Sequence, residues 1–126
     1  NNIKEVSKEE IYENSHIITI HAPLTNLTKN MITKKELSKM KKIPYIINTA
    51  RGEIINEEDL FWALKNNLVA GAGLDAYSEE PPKNSKLLNL ENVFCTPHIG
   101  GTSEEARIAL GRVAIKNLKD YFEKQK

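Results

Sequence analysis

The chain has 126 residues and a net charge of +1, with 18 lysines and arginines against 17 aspartates and glutamates. That length bounds it at one domain with a single core, and the even charge balance, without a basic stripe, argues against a nucleic-acid partner. The single Cys95 excludes an internal disulfide framework, and no apolar run approaches the ~20 residues that span a bilayer, so a cytoplasmic location away from membranes is expected.

Helix signals alternate with short apolar runs. Ser7 and Glu10 form a capping-box pattern ahead of a helix over Lys8–Asn14. The next run predicts a strand over Ile17–His21, stopped by Pro23. Its apolar residues are not separated by strongly polar ones, which predicts cover on both faces. Thr33 and Glu36 make a second capping box, with Leu37 and Met40 turned to the core. Pro44 precedes a strand in "YIINTA". Asn56 caps a third helix whose first turn carries Glu57, Glu58 and Asp59, acids suited to a helix start, and whose apolar face holds Leu60, Phe61 and Leu64. A third strand follows in "LVAGAGLD" and a fourth at Val93–Cys95.

Thr102 and Glu105 predict the start of the last and longest helix. Ala106, Leu110, Val113, Ala114, Asn117 and Tyr121 fall on one face of it, a stripe that reads as core packing. Alternating strands and helices predict an α/β fold with a parallel sheet. Ligands of such sheets bind beyond the carboxyl ends of the strands. The chemically suggestive residues all follow predicted strands: Pro23, then Thr49 to Arg51, then Asp75 to Glu80, then His98.

Arg51 stands directly after a strand, in "NTARGEIIN", and only three arginines occur in the chain. A guanidinium fork matches a carboxylate, so Arg51 is expected to hold an acidic substrate, with Gly52 leaving that ligand room. The alternative is a surface arginine paired with Glu53 or Glu57. His98, in "TPHIGG", is the candidate acid/base. A carboxylate beside an imidazole favours the proton-donating form, and Asp75, Glu79 and Glu80 are in reach by topology, Glu79 reading as a solvated loop acid. Such a histidine would protonate a ketone oxygen while hydride reaches the carbonyl carbon, and would act as base in reverse. No metal site is expected: His16 and His21 are five apart and point to opposite faces. Cys95 reads as packing, and neither a nucleophile elbow nor a P-loop occurs.

Taken together, "SKEEIYENSHIITIHAPLT", "NTARGEIINEEDLFWAL", "VAGAGLDAYSEEPP" and "NVFCTPHIGGTSEEA" resemble the D-isomer-specific 2-hydroxyacid dehydrogenases, in the second half of their nucleotide-binding domain. The resemblance implies a Rossmann-type parallel sheet with helices on both faces and a catalytic trio of Arg51, Glu80 and His98. It also implies a cofactor wall of His21, Ala22, Pro23, Leu24, Thr49, Ala50, Arg51, His98 and Gly100, with Asp75 against the nicotinamide carboxamide. The cofactor implied is NAD, with NADP left open. The substrate implied is a 2-hydroxy acid or its 2-keto acid, 3-phosphoglycerate first, with glyoxylate, hydroxypyruvate and D-lactate as alternatives. Formate dehydrogenases of the family carry glutamine where Glu80 stands, which disfavours formate. The family also contains NAD-sensing corepressors, a non-catalytic alternative that the complete trio does not favour.

The resemblance makes residues 1–126 part of an NAD(P)-binding domain whose glycine-motif half, and whose substrate domain, lie outside this sequence. Asn1 in place of Met leads to the expectation of either a trimmed product or an artificially chosen boundary. Alone, the stretch is expected to bind cofactor weakly and turn over nothing. Its first strand would offer an apolar edge to another copy, and the family implies a homodimer.

Overall fold

The computed structural model describes residues 3–125. Four parallel strands form one sheet in the order β1 (Ile17–Ile20), β2 (Tyr45–Asn48), β3 (Gly71–Leu74), β4 (Val93–Cys95). Between and around them lie α1 (Lys8–Asn14), α2 (Lys34–Leu37), α3 (Glu57–Lys65) and α4 (Glu104–Glu123), with 3-10 turns at Gly52–Ile54 and Lys86–Asn89. Ile20 pairs with Asn48, Asn48 with Leu74, and Leu74 with Cys95. The carboxyl ends of all four strands are therefore level, and the loops that leave them share one edge of the sheet.

Local chemistry sets the helix starts. The Ser7 hydroxyl accepts from the Glu10 amide at 3.1 Å, and the Asn56 side chain accepts from the Asp59 amide at 3.1 Å. Each satisfies one of the orphan donors of a first turn. At α2 the Glu36 carboxylate reaches back to the Thr33 amide at 3.1 Å and hydroxyl at 2.6 Å. The core gathers under one sheet face: Ile18, Ile20 and Ile46 pack in one cluster with Tyr12, Leu37, Met40, Leu60 and Leu64. Leu60 is fully buried, a burial that stabilises by about 1.5–3 kcal/mol.

Three sequence expectations need correction. Cover on both faces of the first strand is not found: Ile18 and Ile20 are buried, whereas Ile17 is 63% exposed. Tyr45, Ile47 and Phe94 lie exposed beside it, so the second sheet face is open among the described residues. The apolar stripe of α4 is not core packing either. No residue of α4 is buried, and Leu110, Val113 and Tyr121 are exposed. Spacing gives a helix its apolar face but not the surface that face meets. Finally, the α4 cap is Ser103, whose side chain accepts from the Ala106 amide at 3.2 Å, while Thr102 donates instead to the Ile99 carbonyl at 2.8 Å.

Candidate active site

Asn48 ends β2 almost fully buried, and its side chain shapes the loop that follows. Its Oδ1 accepts from the Ala50 amide at 3.1 Å and its Nδ2 donates to the Arg51 carbonyl at 2.8 Å. This curl turns Thr49, Ala50 and Arg51 towards the loop after β1. Together with His21, Ala22, Pro23 and Leu24 they line an open cleft of about 520 Å³ with both polar and apolar walls. Arg51 is exposed, and its guanidinium donates to the Ala50 carbonyl at 2.7 Å. The alternative pairing with Glu53 or Glu57 is not found among the described residues: Glu53 pairs with Lys29 at 2.6 Å, and Glu57 accepts from the Ser78 amide at 2.6 Å.

Gly52 is buried, and the room it makes is not for a ligand. A Cβ there would lie 1.9 Å from the Tyr77 carbonyl carbon and 2.3 Å from the Ser78 nitrogen. The glycine lets the Arg51 loop press against the chain that leads to Glu80.

Glu80 and His98 meet although 18 residues apart, with Nδ1 at 2.7 and 2.8 Å from the two carboxylate oxygens. An ionised carboxylate only accepts, so Nδ1 carries the hydrogen and Nε2 is the nitrogen available to exchange a proton. The Glu80 carboxyl is held below the usual glutamate range, first by the His98 hydrogen bond and then by the Tyr77 amide. The charges of His98 and Arg51 act in the same direction, which ties Arg51 electrostatically to the pair. Both partners remain partly exposed, at 39% and 40%, so a ligand could reach them. With Tyr77, Pro81, Pro82 and Pro97 they line a second, largely apolar cavity of about 320 Å³.

Asp75 is buried at the end of β3 and grips the His98 loop. Its carboxylate accepts from the Thr96 hydroxyl, and from the Ile99 and Gly100 amides at 2.8 Å each. Burial alone would raise its pKa, but these hydrogen bonds outweigh it and hold the carboxyl below the ordinary aspartate value. His98 sits in that loop at a φ of 54°, a left-handed conformation uncommon outside glycine. The structure thus joins His98, Glu80, Asp75 and Gly100 on one side. It gathers His21, Ala22, Pro23, Leu24, Thr49, Ala50 and Arg51 on the other. Asp75, His98 and Gly100 do not line the first cleft.

Two residues that shape these loops, Asn48 and Tyr77, are absent from the candidates drawn from the sequence. Asn48 was hidden within an apolar strand, although a polar residue at a strand's carboxyl end is itself a signal. Tyr77 carries no local signal of this kind, standing in the loop between Asp75 and Glu80. No helix among the described residues is long and apolar enough to cross a membrane.

The chain is similar in sequence and in fold to known proteins. Residues 1–100 match the family model of the D-isomer specific 2-hydroxyacid dehydrogenase NAD binding domain. The chain is 42% identical over 110 residues to a D-3-phosphoglycerate dehydrogenase of Methanocaldococcus jannaschii, covering 87% of this chain and 21% of that protein. It is 43% identical over 113 residues to a glyoxylate reductase of Thermococcus litoralis, covering 90% of this chain and 34% of that protein. Among solved structures, a glyoxylate reductase from Paecilomyes thermophila superposes with a TM-score of 0.88 at 36% identity, over 96% of this chain and 37% of that one. The chain thus spans between about a fifth and just over a third of these relatives. With a parallel sheet, level strand ends and this match over most of its length, the chain belongs to the NAD-binding domain family of the D-isomer-specific 2-hydroxyacid dehydrogenases.

Proposed function

We propose that the protein carrying this chain interconverts a D-2-hydroxy acid and its 2-keto acid, with NAD as the redox partner. The observation that carries the reading is the 2.7 Å contact of His98 Nδ1 with Glu80, at strand ends adjoining the Arg51 loop. The first cleft fits the cofactor's reactive end, since its mixed lining suits a flat ring bearing a polar sugar. His21 to Leu24 and Thr49 to Arg51 would hold it there, with Asp75 and Gly100 bracing the neighbouring loop. The bound cofactor supplies or accepts the hydride.

The chain's own residues do the remaining work. Arg51 binds the substrate carboxylate through its guanidinium fork. His98 gives a proton from Nε2 to the carbonyl oxygen during reduction and takes it back during oxidation. Glu80 orients the ring and stabilises the imidazolium form. Among substrates, 3-phosphoglycerate stands first, with support from the relative named D-3-phosphoglycerate dehydrogenase; glyoxylate stands beside it on the relatives named glyoxylate reductase. A homodimer and a cytoplasmic location belong to the same reading, supported by the open apolar sheet face and by the free thiol of Cys95.

A panel of 2-keto and 2-hydroxy acids, followed by nicotinamide absorbance with NAD and NADP forms, tests the reading in the full-length protein. Turnover of at least one acid is expected, with loss in His98→Ala. No turnover of any acid with either cofactor would overturn it.

A further inference from the structure

Tyr77 touches all three loops that carry the proposed trio. Its carbonyl carbon and oxygen form the wall against which Gly52 packs, which sets the position of the Arg51 loop. Its amide donates to Glu80 Oε1 at 3.1 Å. Its phenol hydroxyl lies 2.9 Å from the Thr96 carbonyl, at the root of the His98 loop, and 2.9 Å from the Leu74 carbonyl at the end of β3. The Leu74 carbonyl also accepts from the Thr96 amide at 2.9 Å, so the hydroxyl sits where β3 and β4 part. The residue is 6% exposed, with its ring in the core cluster.

We infer that Tyr77 is a positioning residue of the active site, whose hydroxyl fixes the His98 loop while its main chain fixes Glu80 and the Arg51 loop. The main-chain contacts would exist for any side chain of similar backbone conformation. The hydroxyl contact would not. A phenylalanine keeps the ring in the core and deletes the one donor that links position 77 to Thr96. Leu74 keeps its bond to the Thr96 amide, but the Thr96 carbonyl loses its partner, and the chain from Thr96 to His98 gains freedom. The contact of His98 with Glu80 then becomes intermittent. Burial raises the Tyr77 pKa, so the hydroxyl stays protonated and remains a donor across the working pH range.

This inference rests on the proposed trio, so its test uses no turnover. In Tyr77→Phe, the Glu80 carboxyl, followed by carbon NMR, is expected to titrate closer to the ordinary glutamate value than in the unaltered protein. Hydrogen exchange at the Ile99 and Gly100 amides is expected to accelerate about tenfold, the effect of losing roughly one hydrogen bond. Tyr45→Phe, on the exposed sheet face, should change neither. In the unaltered protein the Tyr77 hydroxyl proton should exchange slowly and show a through-space contact to Thr96, a reading that needs no variant to fold. A Tyr77→Phe protein that melts lower but keeps the Glu80 titration and the amide exchange would overturn the inference, as would a rapidly exchanging hydroxyl. An inactive protein with the loops so coupled would fault the proposed reaction and leave Tyr77 in place.

Discussion

Gly52 lies against the main chain of Tyr77 so closely that a methyl group there would sit 2.2 Å from the Tyr77 carbonyl oxygen. Neither backbone can move alone, because Tyr77 is also held through its amide and hydroxyl. The contact links a turn after β2 to the turn after β3, and so links Arg51 to Glu80.

Gly52→Ala is therefore expected to cost about 3 kcal/mol or more, the upper part of the range for overpacking a filled site. Gly73→Ala is the control. The nearest atoms to a Cβ at Gly73 are on Ile47, at 3.9 and 4.0 Å, an ordinary contact. That substitution should be neutral or slightly stabilising, by about 0.5 kcal/mol. Urea melts of both variants decide the matter, and equal stabilities would show that the loop pair is slack.

The acid behaviour of the protein should report on Asp75. Its carboxyl titrates below the ordinary aspartate value of 3.8 in the folded state. Its contribution is therefore complete above that value and is lost as pH falls from there through the folded value. Asp75→Asn is expected to lose about 1.5–3 kcal/mol at neutral pH, because an amide nitrogen would face a backbone donor of Ile99 or Gly100. The variant should also show a shallower fall of stability as pH drops below the ordinary aspartate value. Parallel pH slopes for the two proteins, measured by denaturant unfolding, would assign the acid sensitivity elsewhere.

Signals confined to a few residues could be read directly from the sequence. The caps at Ser7 and Asn56 and the acid of Glu36 act within one helical turn, and their side chains make the bonds that the pattern implies. An acid beside His98 was legible for a different reason, while the choice of Glu80 among Asp75, Glu79 and Glu80 came from the family resemblance. A parallel sheet brings consecutive strand ends together, and only a small number of acids follow the third strand. The role of Gly52 was not legible, because the atoms that exclude a side chain belong to residues 77 and 78, outside its own turn. The α4 stripe failed likewise: its spacing defines a helix face, while burial depends on a partner surface that spacing does not name.

Since α4 makes no buried contact, its apolar residues should contribute little to the stability of this chain. Leu118, 61% exposed, can be replaced by glutamate at a cost within about 0.5 kcal/mol. Leu60→Ala, in the core of α3, is expected to cost about 2–5 kcal/mol. Trp62 fluorescence, on the same helix as Leu60, reports both melts. A large loss in Leu118→Glu would reveal that α4 is docked in solution.

The guanidinium of Arg51 should matter for its shape as well as its charge. Arg51→Lys keeps a cation but loses the planar fork that engages both carboxylate oxygens. In the full-length protein, kcat/KM for the preferred acid is expected to fall by about tenfold to several hundredfold, equivalent to ~1.5–3.5 kcal/mol of lost contact. A lysine variant with full activity would make Arg51 a simple source of positive potential.

His98 and Glu80 should behave as one unit in kinetics. His98→Ala removes the proton carrier and is expected to lower the rate by about 10²–10⁴. Glu80→Gln keeps an acceptor for the Nδ1 hydrogen but removes the charge that stabilises the imidazolium, so its loss should be real and smaller. Glu80 serves the reaction only through His98. Once the imidazole is gone, deleting the carboxylate should cost almost nothing more, and the double variant should match His98→Ala within about threefold. Steady-state rates of the four proteins complete the cycle. If the two losses multiply instead, Glu80 meets the substrate on its own account, and the 2.7 Å contact is packing without a part in proton transfer.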